Sequence, residues 1–281
     1  MRTPRVAVPL VLALTVAIYA WQIGKGFIHD DFAWLYDASM QPAGFGWVRH
    51  SGGPFFSPLP WMMFRWEWPL GKLNPLPYAI GNLFLHLGNL VLVYQLAFLV
   101  WRKTQTAFWT TLGFSLLFPA NVWAVLWIAT RAHELALFFY LLALIAAFKL
   151  YTGSSAVLPS ALKYYGRHWG YGLMMMAAAL GSMLSKENGI TLVAAIPLLW
   201  AWQSGFSGRT MRTPWIAAWW LRLALVTAVY LLLRSWTESV TAWGDDPWYR
   251  YVISPLVIGE NLVRYGWRTY GLLGLIGAGL Y

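Results

Sequence analysis

Residues 76–101 contain no Asp, Glu, Lys or Arg, and an uncharged run of that length exceeds the roughly 20 apolar residues that an α-helix needs to cross a bilayer. A segment of this kind restricts the chain severely. In hydrocarbon every backbone N–H and C=O must find its partner within the protein, so a helix is the natural solution for it. Its neighbours must then be helices that can pack beside it.

Further apolar runs support an all-α integral membrane protein of about eight spans in a single membrane domain over residues 1–281. The spans are expected at about 6–23, 76–101, 106–118, 135–151, 169–184, 189–202, 215–233 and 255–281. The basic start, Arg2 and Arg5 before the apolar run, has the form of a signal peptide, but the run is long and 17–20 is a poor cleavage site, so it is kept as the first span. Residues 24–75 carry Pro42, Pro54, Pro58, Pro60, Pro69 and Pro75. Proline removes a backbone donor and disfavours helix in the residue before it, so this stretch reads as a large outer loop. Its aromatic and Met content (Phe55, Phe56, Trp61, Met62, Met63, Phe64, Trp66, Trp68) predicts short helices lying along the membrane interface. A second outer loop is expected at 234–254, and the ending at Tyr281 without a polar tail suggests a fragment or a shortened relative.

Charge fixes an expected orientation. With the N-terminus inside, alternating spans put Arg2, Arg5, Arg102, Lys103, Lys149, Lys163, Arg167, Arg209 and Arg212 on one side, and all 10 Asp and Glu residues on the other. This satisfies the positive-inside rule and predicts a cytoplasmic-membrane protein with both termini cytoplasmic. The net charge of +10 is scattered among apolar segments rather than gathered on a soluble face, which argues against a nucleic-acid partner. Cysteine is absent, so disulfides, thiolate nucleophiles and thiolate metal sites are excluded. The 20 tryptophans fit interfacial belts.

Against this background the polar residues stand out. Asp30 and Asp31 follow the first span; one role is to cap a short helix over 32–35, and the other is to form the chemical centre in a water-filled cavity beside the membrane. Asn82, His86 and Asn89 share one face of the second span, where interhelical hydrogen bonding is expected of Asn89 in particular. Arg131 and Glu134 are three apart, so they form either a simple ion pair or a cation presented to an anionic ligand. With His133, Lys186, Glu187 and Asp245-Asp246, these clusters are expected at one membrane face, around a cavity opening outside. Arg222 and Arg268 fall within spans, where snorkelling or pairing is expected.

Taken in order, Asp30-Asp31, the sequence Asn82-Leu-Phe-Leu-His86-Leu-Gly-Asn89, Trp127-Ile-Ala-Thr-Arg131-Ala-His133-Glu134 and Ser185-Lys186-Glu187-Asn-Gly-Ile-Thr191 resemble the C-type (GT-C) membrane glycosyltransferases. The likeness is greatest to the transmembrane O-mannosyltransferases and their tetratricopeptide-repeat-containing relatives, and it covers about residues 6–203. Two departures are the missing repeat region and Glu134, where relatives commonly carry aspartate. The resemblance implies transfer of a sugar from a polyprenyl-phosphate donor to a hydroxyl of a protein or glycan acceptor on the outer face. It implies Asp30 or Asp31 as the base, Arg131 and Lys186 with His133 as donor-phosphate ligands, and Glu134, Glu187, His86 and Asn82 in support. No metal site is assigned, although a hard divalent cation beside Asp30-Asp31 and Asp245-Asp246 is chemically admissible.

A transporter is disfavoured, because paired halves are not evident and the charges cluster at one face. The stronger rival is a non-catalytic subunit on the same fold that binds lipid or scaffolds a larger complex, with its last span meeting a partner chain.

Overall fold

The computed structural model describes residues 4–20, 23–40, 56–117, 125–154, 161–207, 214–237, 256, 259, 260 and 263. Every regular element among them is helical: α1 (Pro4–Tyr19), α2 (Asp31–Met40), α3 (Pro58–Gly71), α4 (Leu76–Trp101), α5 (Thr104–Leu117), α6 (Arg131–Ser154), α7 (Ala161–Ser185), α8 (Leu192–Gln203) and α9 (Pro214–Ser235). Short 3-10 turns at Ile128–Thr130 and Glu187–Thr191 lead into α6 and α8.

Three stretches among the described residues are long and apolar enough to cross a membrane, Leu76–Trp101, Ile128–Thr152 and Pro214–Ser235. The expected count of eight is therefore not reached on length and composition. Helix α5 has 14 residues and α8 has 12, about 21 and 18 Å at 1.5 Å per residue, against a hydrocarbon core of about 30 Å. The expected eighth span and Asp245-Asp246 lie almost wholly outside the described residues.

The bundle is built on α6. Its Ala143, Ala146 and Ala147 are fully buried against Ala178 and Ala179 of α7, and small side chains on both helices let the backbones approach. Leu192, Ile196 and Trp200 of α8, with Ile216, Trp219 and Leu223 of α9, complete this core. Helices α4 and α5 form an antiparallel pair beside α6, and α1 is tied to α5 by a 2.7 Å hydrogen bond between the Thr15 and Ser115 hydroxyls.

The described parts of the proline-rich stretch, 24–40 and 56–75, carry two short helices, α2 and α3, and residues 41–55 lie outside the described residues. Pro58 and Pro60 fall in the first turn of α3, where a missing N–H costs nothing, and Pro69 falls in its last turn. The aromatic residues divide. Phe56, Trp61 and Phe64 are buried in the protein rather than set in a headgroup layer, whereas Trp66 is exposed. Phe64 packs with Leu35 and Ala38 of α2, Tyr78 and Ala79 of α4, and Ile128, so α2 and α3 cover one end of the bundle.

Two boundaries differ from the sequence expectation. The segment with Lys163, Arg167 and His168, expected as a loop, belongs to α7, which begins at Ala161. Likewise α6 begins at Arg131 rather than 135. In both places polar residues belong to the first turns of a helix, and Lys, Arg and Glu are good helix formers.

Candidate functional site

The end of the bundle where α6 begins and α7 ends gathers most of the polar residues singled out by sequence. They separate into three sets with different surroundings.

The first set is closed. Arg131 is fully buried at the first position of α6, and all three of its guanidinium nitrogens donate inside the protein. Nε donates to Asn82 Oδ1 at 2.9 Å, Nη2 to the Tyr78 carbonyl at 2.6 Å, and Nη1 to Glu67 Oε2. The guanidinium carbon also lies 4.7 Å from the centre of the Phe64 ring, a cation–π contact. Of the two alternatives read from the spacing, the local Arg131–Glu134 pair does not form: residue 131 turns towards α3 and α4, where Glu67 reaches it. Gly81 makes the room, since a Cβ there would stand 2.7 Å from Glu67 Oε1 and 3.1 Å from Arg131 Nη2. Burial raises the Glu67 carboxyl above its ordinary range, against the pull of Arg131.

Glu134 instead meets α4. Its Oε1 lies 3.2 Å from His86 Nδ1, and Asn89 Nδ2 donates to its Oε2 at 2.6 Å and to its carbonyl at 2.9 Å. Asn82 Nδ2 donates to the Trp127 and Ile128 carbonyls. The face of α4 read from the 82, 86, 89 spacing is thus an interhelical hydrogen-bonding face, as expected. His86 Nε2 and Asn89 Oδ1 are buried without a protein partner.

The second set is the aspartate pair. Asp31 is fully buried, and its two carboxylate oxygens accept from the Ile28 N–H at 2.8 Å and the Ala129 N–H at 2.6 Å. Burial holds its carboxyl above the usual range, opposed by those two amides. Asp30 is exposed, and its carbonyl accepts the Trp34 N–H that opens α2. His29 before it has φ +45°, a left-handed conformation uncommon outside glycine, and its ring meets that of Trp127 at 6.0 Å. The two aspartates therefore differ: Asp31 fastens the chain to the Ile128–Thr130 turn, and Asp30 faces outward.

The third set is open. A cleft of about 250 Å³ is lined by His133, Ala136, Leu137, Tyr140, Ser182, Lys186, Asn188, Gly189 and Thr191. It lies between the start of α6 and the end of α7 and is floored by the Glu187–Thr191 turn. Gly189 has to be glycine for this geometry, because a Cβ would lie 2.5 Å from the Met183 backbone nitrogen. Thr191 Oγ1 donates to the Asn188 carbonyl at 2.7 Å and stands 3.2 Å from the Tyr140 hydroxyl. Ser182 donates to the Ala136 carbonyl at 2.9 Å, joining the two walls. Burial lowers the Lys186 ammonium below the usual lysine value, with Glu187 opposing the shift. Glu187 itself faces Arg234 at the end of α9, 3.9 Å away.

Sequence reasoning missed Glu67 and Tyr140, and it quoted Thr191 only as the end of the Ser185–Thr191 motif, without a role. Glu67 had a signal, being the lone carboxylate in the mostly apolar stretch 61–70, which holds Arg65 as its other charge. Tyr140 had none, since a hydroxyl in an apolar helix is unremarkable. Among the described residues no group of three His, Asp or Glu side chains is placed to hold a metal ion.

The class this architecture defines is an all-helical protein with helices of membrane-spanning length. Compared with protein-family models, curated proteins and solved structures, the chain matched none.

Proposed function

We propose that the chain is a membrane glycosyltransferase, which moves a sugar from a polyprenyl-phosphate carrier to a hydroxyl acceptor at the outer face of the cytoplasmic membrane. The observation that carries this reading is the cleft that brings His133 and Lys186 together, two of the three residues the resemblance gives to the donor phosphate. As the sugar leaves, the bond from its anomeric carbon to the phosphate oxygen breaks and its electron pair stays on the phosphate. A cation in a partly buried cleft stabilises that charge more than it would in water. The acceptor oxygen forms the new bond to the anomeric carbon, and its proton passes to a carboxylate.

Asp30 suits that last role better than Asp31, because it is exposed and Asp31 has both oxygens engaged. The two parts are close in sequence terms. Asp31 is fastened to Ala129, four residues before His133, about 6–8 Å along a helical path. The short helices α2 and α3 support an interfacial setting, with Phe32, Tyr36 and Met40 exposed on one and Trp66 and Leu70 on the other.

A second reading is favoured by a specific observation. Arg131 and Asp31 are buried and bonded internally, as befits a non-catalytic subunit on the same fold that binds lipid or a partner chain. Mass spectrometry of copurifying lipids separates the two. A polyprenyl-phosphate sugar retained by wild type and lost in Lys186→Gln supports the transferase; bulk phospholipid alone in both proteins overturns it in favour of the subunit.

A further inference from the structure

The opposite end of the α4–α5 pair carries a different kind of surface. Helix α4 ends at Trp101, Arg102 takes the left-handed conformation (φ +53°) that turns the chain, and α5 starts at Thr104. Arg102 and Lys103 are exposed, and so are Trp101 and Trp109, at 58% and 59%. Arg102, Lys103, Thr104, Gln105, Thr106 and Trp109 line an open cleft of about 670 Å³.

A third cation lies at this end, on α6. The Arg102 guanidinium carbon is 6.0 Å from the Phe148 ring centre, and Lys149 follows Phe148 directly. Lys149 Nζ is in turn 5.6 Å from the Tyr171 ring centre. Six acids stand elsewhere: Asp30 just before α2, Asp31 and Asp37 on α2, Glu67 on α3, Glu134 in the first turn of α6 and Glu187 in the turn after α7, at the other end of the bundle.

We propose that the α4–α5 turn is a binding site for the headgroup of an anionic phospholipid. The argument is one of position and complementarity. A turn at the end of a membrane-spanning helix lies at the headgroup level, where exposed tryptophans are at home. Two cations held in that turn, with a third on the same end of the neighbouring α6 and six of the described carboxylates at the other end of the bundle, attract a phosphate that carries net charge and gain little from a zwitterion. The cleft between the turn and Trp109 provides the volume. The site does not depend on the transferase reading, and it lies at the other end of the bundle from the His133–Lys186 cleft.

The test uses the full chain in neutral detergent, titrated with short-chain phosphatidylglycerol or phosphatidylcholine, with bound lipid counted by native mass spectrometry. Wild type is expected to retain phosphatidylglycerol in preference to phosphatidylcholine. The double variant R102Q/K103Q should lose about 30-fold in phosphatidylglycerol affinity, at about fivefold for each cation removed, with phosphatidylcholine unaffected. Equal retention of the two lipids by wild type overturns the proposal, and so does an unchanged affinity in the double variant. Inorganic phosphate at matched concentration is the competitor: if it displaces the lipid fully, the turn is a general anion site and the lipid assignment fails. If R102Q/K103Q does not fold, the salt dependence of wild type decides. Phosphatidylglycerol binding that weakens as salt screens the cations supports the site, and binding indifferent to salt overturns it.

Discussion

Replacing Glu67 by Gln tests how the buried end of the bundle is held together. The carboxylate is the charged partner of Arg131, whose other donors go to Asn82 and Tyr78. Breaking a buried ion pair from one side costs about 3–5 kcal/mol, chiefly because the remaining charge is left uncompensated. Here the glutamate is 20% exposed and the arginine 0%. Water relieves part of the penalty on the Glu67 side, and the two neutral acceptors and the Phe64 ring still hold the guanidinium. We therefore expect about 2–3 kcal/mol for Glu67→Gln, just below the range for a fully buried pair. Arg131→Met should reach the upper part, about 4–5 kcal/mol, since it also leaves Asn82 Oδ1 without its donor. The assay is an unfolding titration in mixed micelles on both single variants and the double. If the pair is a coupled unit, the double variant loses less than the sum by at least about 1 kcal/mol. Additivity within about 0.5 kcal/mol would refute the pairing. Lipid analysis of Arg131→Met adds a second readout: a variant that is unstable yet keeps the wild-type lipid set assigns Arg131 to structure, and selective loss of a phosphate-linked lipid returns it to the donor.

The two aspartates should respond differently. Asp30→Asn is expected to lower turnover about 10²- to 10⁴-fold with unchanged stability, whereas Asp31→Asn should cost about 1–3 kcal/mol of stability by weakening one of two buried acceptors; a reversal of the two phenotypes in paired activity and unfolding measurements would remove the assignment. Lys186 gives a pH signature. Its ammonium is held below the usual lysine value, so donor affinity should fall as pH rises through that lowered value, before an ordinary lysine would titrate. Lys186→Arg should flatten the profile, and a wild-type affinity that stays level up to the ordinary lysine range counts against the phosphate role. The same shift makes stability rise with pH over the interval between the folded and unfolded values, because the unfolded chain binds more protons there. Gly189→Ala should cost about 1–3 kcal/mol through the close approach to the Met183 backbone, and a thermal midpoint equal to wild type would show that the turn has room.

The apolar segments were the legible part of this fold. The uncharged run at 76–101 coincides with α4, and 215–233 falls within α9, because burial in hydrocarbon leaves little freedom in where such a helix begins and ends. Helix ends with polar residues were read less well. Arg131, His133 and Glu134 looked like the approach to a span and turned out to be its first turn. The α4 face was read correctly from its spacing, but its partners were not. Three residues separate Arg131 from Glu134, which made a local pair plausible, yet long-range packing sent one to Glu67 and the other to His86. Of the donor-phosphate set, Lys186 and His133 converge on one cleft while Arg131 is enclosed behind it, a division that depends on the rotation of α6 and is not written in sequence order.

The Ile128–Thr130 turn is held from two sides, by Asp31 on the Ala129 N–H and by Asn82 on the Trp127 and Ile128 carbonyls. It is also the start of the helix that carries His133. The joint couples two elements: a shift of the loop before α2 either breaks the Asp31 link or pulls on the root of α6. A disturbance at the exposed Asp30 therefore has a short route to the wall of the cleft, through the carboxylate of its neighbour Asp31 into the Ala129 backbone and on into α6.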